Sequence, residues 1–203
     1  MKIKILEKNG REIKFSIEGI TPGFANALRR VMMTEVPTMA IEWVDFKKND
    51  SVLPDEILAN RLGQVPLTFD RKAYNLPGNC KCEGKGCSRC QVEMVLKKKG
   101  PGVVHSGDLK SKAKDVQPVF DKIPITELFK DEELQFEATA QLGLGKEHTK
   151  WQAAVAGYNY DGENFVFNVE SVSGLSAEEV VTTAAEALAE KMKEFAKDLG
   201  KLK

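Results

Sequence analysis

Thr21 and Pro37 fence a segment that can be little other than one short helix. Thr21 can cap it, Pro22 sits at the first helical position where a missing N–H costs nothing, and Pro37 forbids continuation beyond Val36. Inside the fence Phe24, Ala27, Leu28, Val31 and Met32 recur at helical spacing on one stripe, while Arg29 and Arg30 point to another side. Two strand patterns precede it: Ile3 and Ile5 alternate, then Ile13, Phe15 and Ile17, with the hairpin signal Asn9-Gly10 between them. A hairpin followed by an amphipathic helix is therefore expected at the start of the chain.

The other end mirrors this arrangement. Asp161-Gly162 reads as a turn leading into Phe165, Phe167 and Val169 on one face of a strand, with Val166, Asn168 and Glu170 on the other. Ser176 and Glu179 form a capping-box pattern, Glu178 adds negative charge to the first turn, and Gly200 stands where a helix of about 24 residues, roughly 36 Å long, should stop. Val181, Ala184, Leu188, Met192, Phe195 and Leu199 repeat at spacings of three and four, widened by Val180, Ala185 and Ala196. So broad an apolar face can be covered partly by its own sheet and partly by something else. From Met39 onward the middle of the chain reads as strand-like segments and long loops. It includes a Gly-, Lys- and Cys-rich stretch, 77–101, without helical period, and the Lys97-Lys98-Lys99 run and 107–114 read as loop.

Four cysteines carry the clearest chemistry. Cys80, Cys82, Cys87 and Cys90 form C-x-C-x4-C-x2-C, with Gly78, Gly84 and Gly86 giving the backbone freedom to turn four sulfurs inward. A tetrahedral ion needs four soft ligands at short range, and four thiolates close its coordination sphere, which marks a structural rather than a catalytic metal. Disulfides are disfavoured in a chain without an export signal, and a redox Cys87-x-x-Cys90 lacks the helix N-terminus that would lower a thiol pKa.

The 30 basic and 30 acidic residues cancel, which argues against a free-standing nucleic-acid binder. No apolar run approaches a membrane span, and Met-Lys-Ile-Lys opens a strand rather than a signal peptide, so a cytoplasmic protein is expected. Neither a P-loop, nor a dinucleotide fingerprint, nor an Asp-x-Asp metal triad is present. His105 and His148 are the only histidines, and neither sits beside a nucleophile motif, so no catalytic residue is assigned.

Three blocks share one resemblance: Gly23-Phe24-Ala25-Asn26-Ala27-Leu28-Arg29-Arg30 with a following Val36-Pro37, the stretch from Leu53-Pro54-Asp55-Glu56 through Ala59-Asn60-Arg61-Leu62-Gly63 to Pro66-Leu67, and Gly145-Lys146-Glu147-His148-Thr149-Lys150-Trp151. In this order they resemble the alpha-like subunits of DNA-directed RNA polymerase: bacterial alpha, the archaeal D subunit and the third-largest eukaryotic subunit. The third block is similar to one found in the archaeal and eukaryotic members, and the archaeal type is the reading taken. The resemblance implies an α+β fold in which a split dimerisation domain, an antiparallel sheet with two main helices over 1–42 and 160–203, is interrupted by a mostly β domain over 43–159 carrying a metal loop at 78–92.

It also implies a non-catalytic assembly platform that pairs with the smaller L subunit, recruits the small N and P subunits, and docks the large catalytic subunits, with no sequence-specific DNA contact of its own. On that basis Phe24, Ala27, Leu28, Leu188, Met192 and Phe195 lie at or beneath the interface with the L subunit, and Asn26, Arg29 and Arg30 face the large subunits. One zinc ion is expected on Cys80, Cys82, Cys87 and Cys90, as in the eukaryotic subunit. An iron–sulfur cluster is less expected, because the extra ferredoxin-like domain of several archaeal relatives has no counterpart between Trp151 and the last helix. Two other readings are a free-standing zinc-binding nucleic-acid module and a thiol oxidoreductase.

Overall fold

The computed structural model describes residues 1–162 and 164–201. Along the chain run β1 (Lys2–Lys8), β2 (Glu12–Glu18), α1 (Pro22–Thr34), β3 (Thr38–Asn49), α2 (Asp55–Gly63), β4 (Gln91–Lys99), β5 (Gly102–His105), β6 (Lys110–Ser111), β7 (Pro124–Leu128), β8 (Glu133–Gly143), β9 (Ala154–Asp161), β10 (Asn164–Ser171) and α3 (Ala177–Gly200). The fold is α+β with antiparallel sheets, and it divides into two compact units: Met1–Pro37 with Leu144–Lys203, and Thr38–Gly143.

In the split unit four antiparallel strands lie in the order β1-β2-β10-β9. Side chains alternate across the sheet, so the register that sets Ile17, Phe15 and Ile13 opposite Phe165, Phe167 and Val169 gathers all six on one face, where they are buried. Phe15 stacks on Phe167 with ring centroids 5.1 Å apart. Both helices cover this face, α1 packing on α3 and β9, and α3 on β2 and β10. The expected hairpin forms, with Asn9 Oδ1 accepting the Glu12 N–H at 2.8 Å and Gly10 at φ +86°.

α1 begins as expected, the Phe24 N–H donating to Thr21 Oγ1 at 3.2 Å. It ends at Thr34, two residues before Val36, where the Glu35 N–H returns to the Val31 carbonyl. Its buried residues are Ala25, Leu28, Val31 and Met32. The inward stripe is thus turned away from Phe24 and Ala27 and onto Ala25, because β9 and α3 meet the helix from that side. α3 carries the full capping box, Ser176 Oγ accepting the Glu179 N–H and Glu179 accepting the Ser176 N–H.

Residues 144–151 clamp the end of α1. Gly145 passes so close that a Cβ there would stand 2.2 Å from the Met33 carbonyl oxygen. Lys146 donates its N–H to Thr34, Glu147 accepts the Leu144 N–H, His148 Nδ1 accepts the Lys150 N–H, and Trp151 is buried with the Lys150 ammonium 4.5 Å from its ring centre. The division between units falls after Pro37 and after Gly143, rather than at 42/43 and 159/160. β3 pairs from Thr38 onward with β8, drawing 38–42 into the inserted unit, while β9 pairs with β10 and draws 154–159 into the split one.

The inserted unit holds a sheet ordered β3-β8-β4-β6 and a small β5-β7 ribbon around its own core, which includes Met39, Ile41, Leu58, Leu62, Met94, Leu96 and Phe136. Two expectations are corrected here. Within the block beginning at Leu53 the chain forms a helix, α2, with Asp55 and Glu56 in its first turn and Leu58 and Leu62 buried. The Lys97–Lys99 run is the end of β4, whose Val92, Met94 and Leu96 alternate inward, and Leu109 within 107–114 is buried in the core. Among the described residues no helix is long and apolar enough to cross a membrane.

Candidate docking groove and metal centre

α3 buries only its beginning. Ala177, Val180 and Ala184 are inside, whereas Met192, Phe195 and Leu199 are 60%, 62% and 49% exposed. At the other margin of the same sheet face β1 is an edge strand with every residue open, Ile3 at 61% and Ile5 at 54%. Between them lies a groove of about 500 Å³. Ile13, Phe15 and Ile17 of β2 floor it, Ile3 and Ile5 form one wall, Val181, Ala185, Leu188 and Met192 the other, and Phe24 and Leu28 of α1 close one end. Among the described lining residues the polar side chains are those of Glu178 and Thr182. Open apolar surface of this kind makes the groove a candidate docking place.

In the inserted unit a 3-10 turn, Pro77–Asn79, delivers Cys80, and the chain then reverses through positive φ at Glu83, Gly84 and Gly86 before Cys90 leads into β4. The four Sγ atoms lie within 4.8 Å of one another. Separations are 3.5 Å for Cys80 to Cys87, 3.5 Å for Cys82 to Cys90 and 3.7 Å for Cys87 to Cys90. A disulfide requires about 2.05 Å. A tetrahedron with metal–sulfur bonds of about 2.3 Å has edges of about 3.8 Å, which these spacings approach.

The sulfurs also perturb one another. Burial pushes the Cys82 thiol up, but hydrogen bonds from the Cys80 and Cys90 sulfurs and the Gly86 backbone outweigh it and hold the group down at about 6. Burial pushes Cys90 up to about 12, with the neighbouring sulfurs acting in the same direction. The four converging sulfurs form a set that can hold one metal ion.

A sequence-family model described as the RNA polymerase Rpb3/Rpb11 dimerisation domain matches residues 14–192. The chain belongs to the RNA polymerase Rpb3/Rpb11 dimerisation family. Among its relatives is the DNA-directed RNA polymerase subunit Rpo3 of Methanothermobacter thermautotrophicus, 48% identical over 164 residues that make up 79% of this chain and 62% of that protein. The Rpo3 proteins of Methanosphaera stadtmanae and Pyrococcus horikoshii are each 45% identical, over 79% of this chain and 61% and 60% of theirs. The chain thus spans about three fifths of the length of these relatives.

Within this Rpb3/Rpb11-type frame the residues singled out in the sequence fall into distinct places. Phe24, Leu28, Leu188 and Met192 line the groove, Leu28 being a buried part of its lining and Phe24 a 40% exposed rim. Phe195 continues the α3 stripe outside the groove lining, and Ala27 is half-buried off it. Asn26 and Arg30 are exposed and Arg29 is half-buried, with Arg29 Nη2 donating to Asn26 Oδ1 at 3.1 Å.

Ile3 and Ile5 were legible only as strand alternation, because nothing in the sequence tells an edge strand from a central one. Val181 and Ala185 were hidden within a stripe that also contains buried Ala184. His105 and His148 serve as local caps of 3-10 turns. Lys191, on the flank of α3, is tied to Glu35 at 2.6 Å, and Lys146 joins the same carboxylate at 3.3 Å.

Proposed function

We propose that the chain is an assembly-platform subunit of DNA-directed RNA polymerase, which pairs through its split unit with a smaller Rpb11/L-type subunit. The observation that carries this reading is the open apolar groove between β1 and α3, lying in a chain matched over 14–192 by a dimerisation family. Covering Ile3, Ile5, Leu188, Met192 and Phe195 removes apolar surface from water, which drives association, while the charged flanks of α3 set register and discourage wrong partners. The small N and P subunits and the large catalytic subunits then join the pair. Asn26, Arg29 and Arg30, away from the apolar stripe, are available to the large subunits. Polymerisation chemistry belongs to those large chains, in the cytoplasm. This chain supplies shape rather than reacting groups.

The metal in this reading is one zinc ion held by Cys80, Cys82, Cys87 and Cys90, which would fix the 78–92 loop against the start of β4. Four thiolates suit zinc and leave no open coordination position, so its contribution is structural. Coexpression with the L-type subunit tests the platform reading. A soluble 1:1 complex is expected, and a chain that stays strictly monomeric and ignores that subunit refutes it.

A further inference from the structure

Arg11 lies in the β1–β2 turn, half-buried and outside the groove lining, yet it grips the segment that launches α3. Its Nη2 donates to the Ser171 carbonyl at 2.6 Å and reaches the Ser173 carbonyl at 3.3 Å. Its own carbonyl accepts the Ser171 N–H at 2.7 Å, and the Gly10 carbonyl accepts the Ala177 N–H at 2.9 Å. Lys8 pairs with Glu178 in the first turn of the helix. Inside the gripped segment Ser171 Oγ donates to the Leu175 carbonyl at 2.5 Å, and Ser173 Oγ accepts the Leu175 N–H at 3.3 Å. Both serines are buried, so the guanidinium satisfies carbonyls with little access to water.

Leverage makes this grip matter. Beyond Ala184 no described residue of α3 is buried: Ala187 and Leu188 are half-buried, α1 supports one side of the helix, and the part beyond Lys191 is exposed, so the angle set at the base carries through to the groove wall. From Ala177 to Phe195 the helix runs about 27 Å, and a tilt of about 10° at the base would displace Phe195 by about 5 Å. The second tether, Lys191 to Glu35, is an ion pair with a half-exposed lysine and holds less firmly than charge-assisted hydrogen bonds from a half-buried guanidinium to carbonyls of the buried Ser171 and Ser173. We infer that Arg11 is a positioning residue for partner docking: without touching the partner, it fixes the angle at which α3 leaves the sheet and so keeps the groove at its docking width. This rests on the pairing reading above.

The consequence is kinetic. A chain lacking the grip holds the docking geometry only part of the time, which lowers the association rate by that fraction, whereas the assembled pair, held by its own contacts, dissociates as before. Arg11→Ala and Arg11→Lys are made in the full chain. Association and dissociation with the L-type subunit are followed by stopped-flow fluorescence, and amide hydrogen exchange of 171–184 is measured in the chain alone. Arg11→Ala should associate about tenfold more slowly with unchanged dissociation, exchange faster at 171–184, and keep wild-type helicity. Arg11→Lys, whose ammonium ends one bond short of the position of Nη2 and so loses reach to the two carbonyls, should fall between. Wild-type association by Arg11→Ala overturns the inference. Should Arg11→Ala not fold, wild-type association by Arg11→Lys overturns it. If the wild-type chain itself does not pair, the platform reading fails, and unchanged exchange at 171–184 in either folded variant separately removes the positioning role.

Discussion

Phe195→Ala separates a docking face from a core more sharply than any other single change. A phenylalanine side chain carries about 200 Å². With Phe195 62% exposed, cover by a partner removes about 120 Å² from water and contributes about 3 kcal/mol at about 25 cal/mol per Å². Alanine keeps part of that contact, so truncation should weaken pairing by about 2 kcal/mol, a factor of about 30 in Kd. The chain's own stability should move by no more than about 0.5 kcal/mol, because Phe195 buries little within it. Phe167→Ala is the counterpart: fully buried against Phe15, it should cost the fold about 3–5 kcal/mol. Dilution of the coexpressed heterodimer, read by fluorescence anisotropy, gives the pairing constants, and a circular dichroism melt of each variant gives stability. A Phe195→Ala chain that pairs normally but melts several degrees lower would show that this end of α3 packs on its own domain.

Charge on the stripe should act in the same way: Leu188→Asp abolishes pairing in a pull-down, whereas Lys197→Asp, on the opposite side of α3, leaves it within about twofold. Lys191 is unsuitable as that control, since its replacement would break the contact with Glu35. For Glu35, burial acts to raise the pKa, but hydrogen bonds and charge from Lys191 and Lys146 outweigh it and hold the carboxyl below its usual 4.5. Its stabilisation is therefore complete above about 4.5 and lost as pH falls through the lowered folded value, and Glu35→Gln should flatten that part of the acid-stability curve. Gly145→Ala should lower stability by about 1–3 kcal/mol, seen as a lower melting temperature, because the new Cβ meets the Met33 carbonyl. Chelation or Cys87→Ser should raise protease cleavage within 78–92 while pairing persists, and elemental analysis should find one zinc per chain. Stoichiometric iron, or two intact disulfides without metal, would contradict that assignment.

Local signals carried far in this chain. The Thr21 cap with Pro22, the Ser176–Glu179 box and the alternation of Phe165, Phe167 and Val169 each act within a few residues of themselves, and each formed as read. What the sequence concealed depends on distant partners. α1 turned its inward face onto Ala25 because β9 and α3 approach it there. α2 was obscured by its brevity and by an apolar pattern of little more than Leu58 and Leu62. The inward alternation of β4 was masked by the lysines that end it. The cysteine set was legible from spacing alone, since four thiols within eleven residues have few ways to converge. The groove was legible only in part, because one apolar stripe on α3 serves the core at Ala184 and the open wall at Leu188 and Met192.

Amide hydrogen exchange of the chain with and without its coexpressed L-type subunit tests the docking face most directly. Slowed exchange in 181–199, at Ile3 to Ile5 and around Phe24 to Leu28, within a 1:1 complex, is the expected result. A complex that protects other surfaces and leaves 181–199 exchanging as in the isolated chain would contradict it.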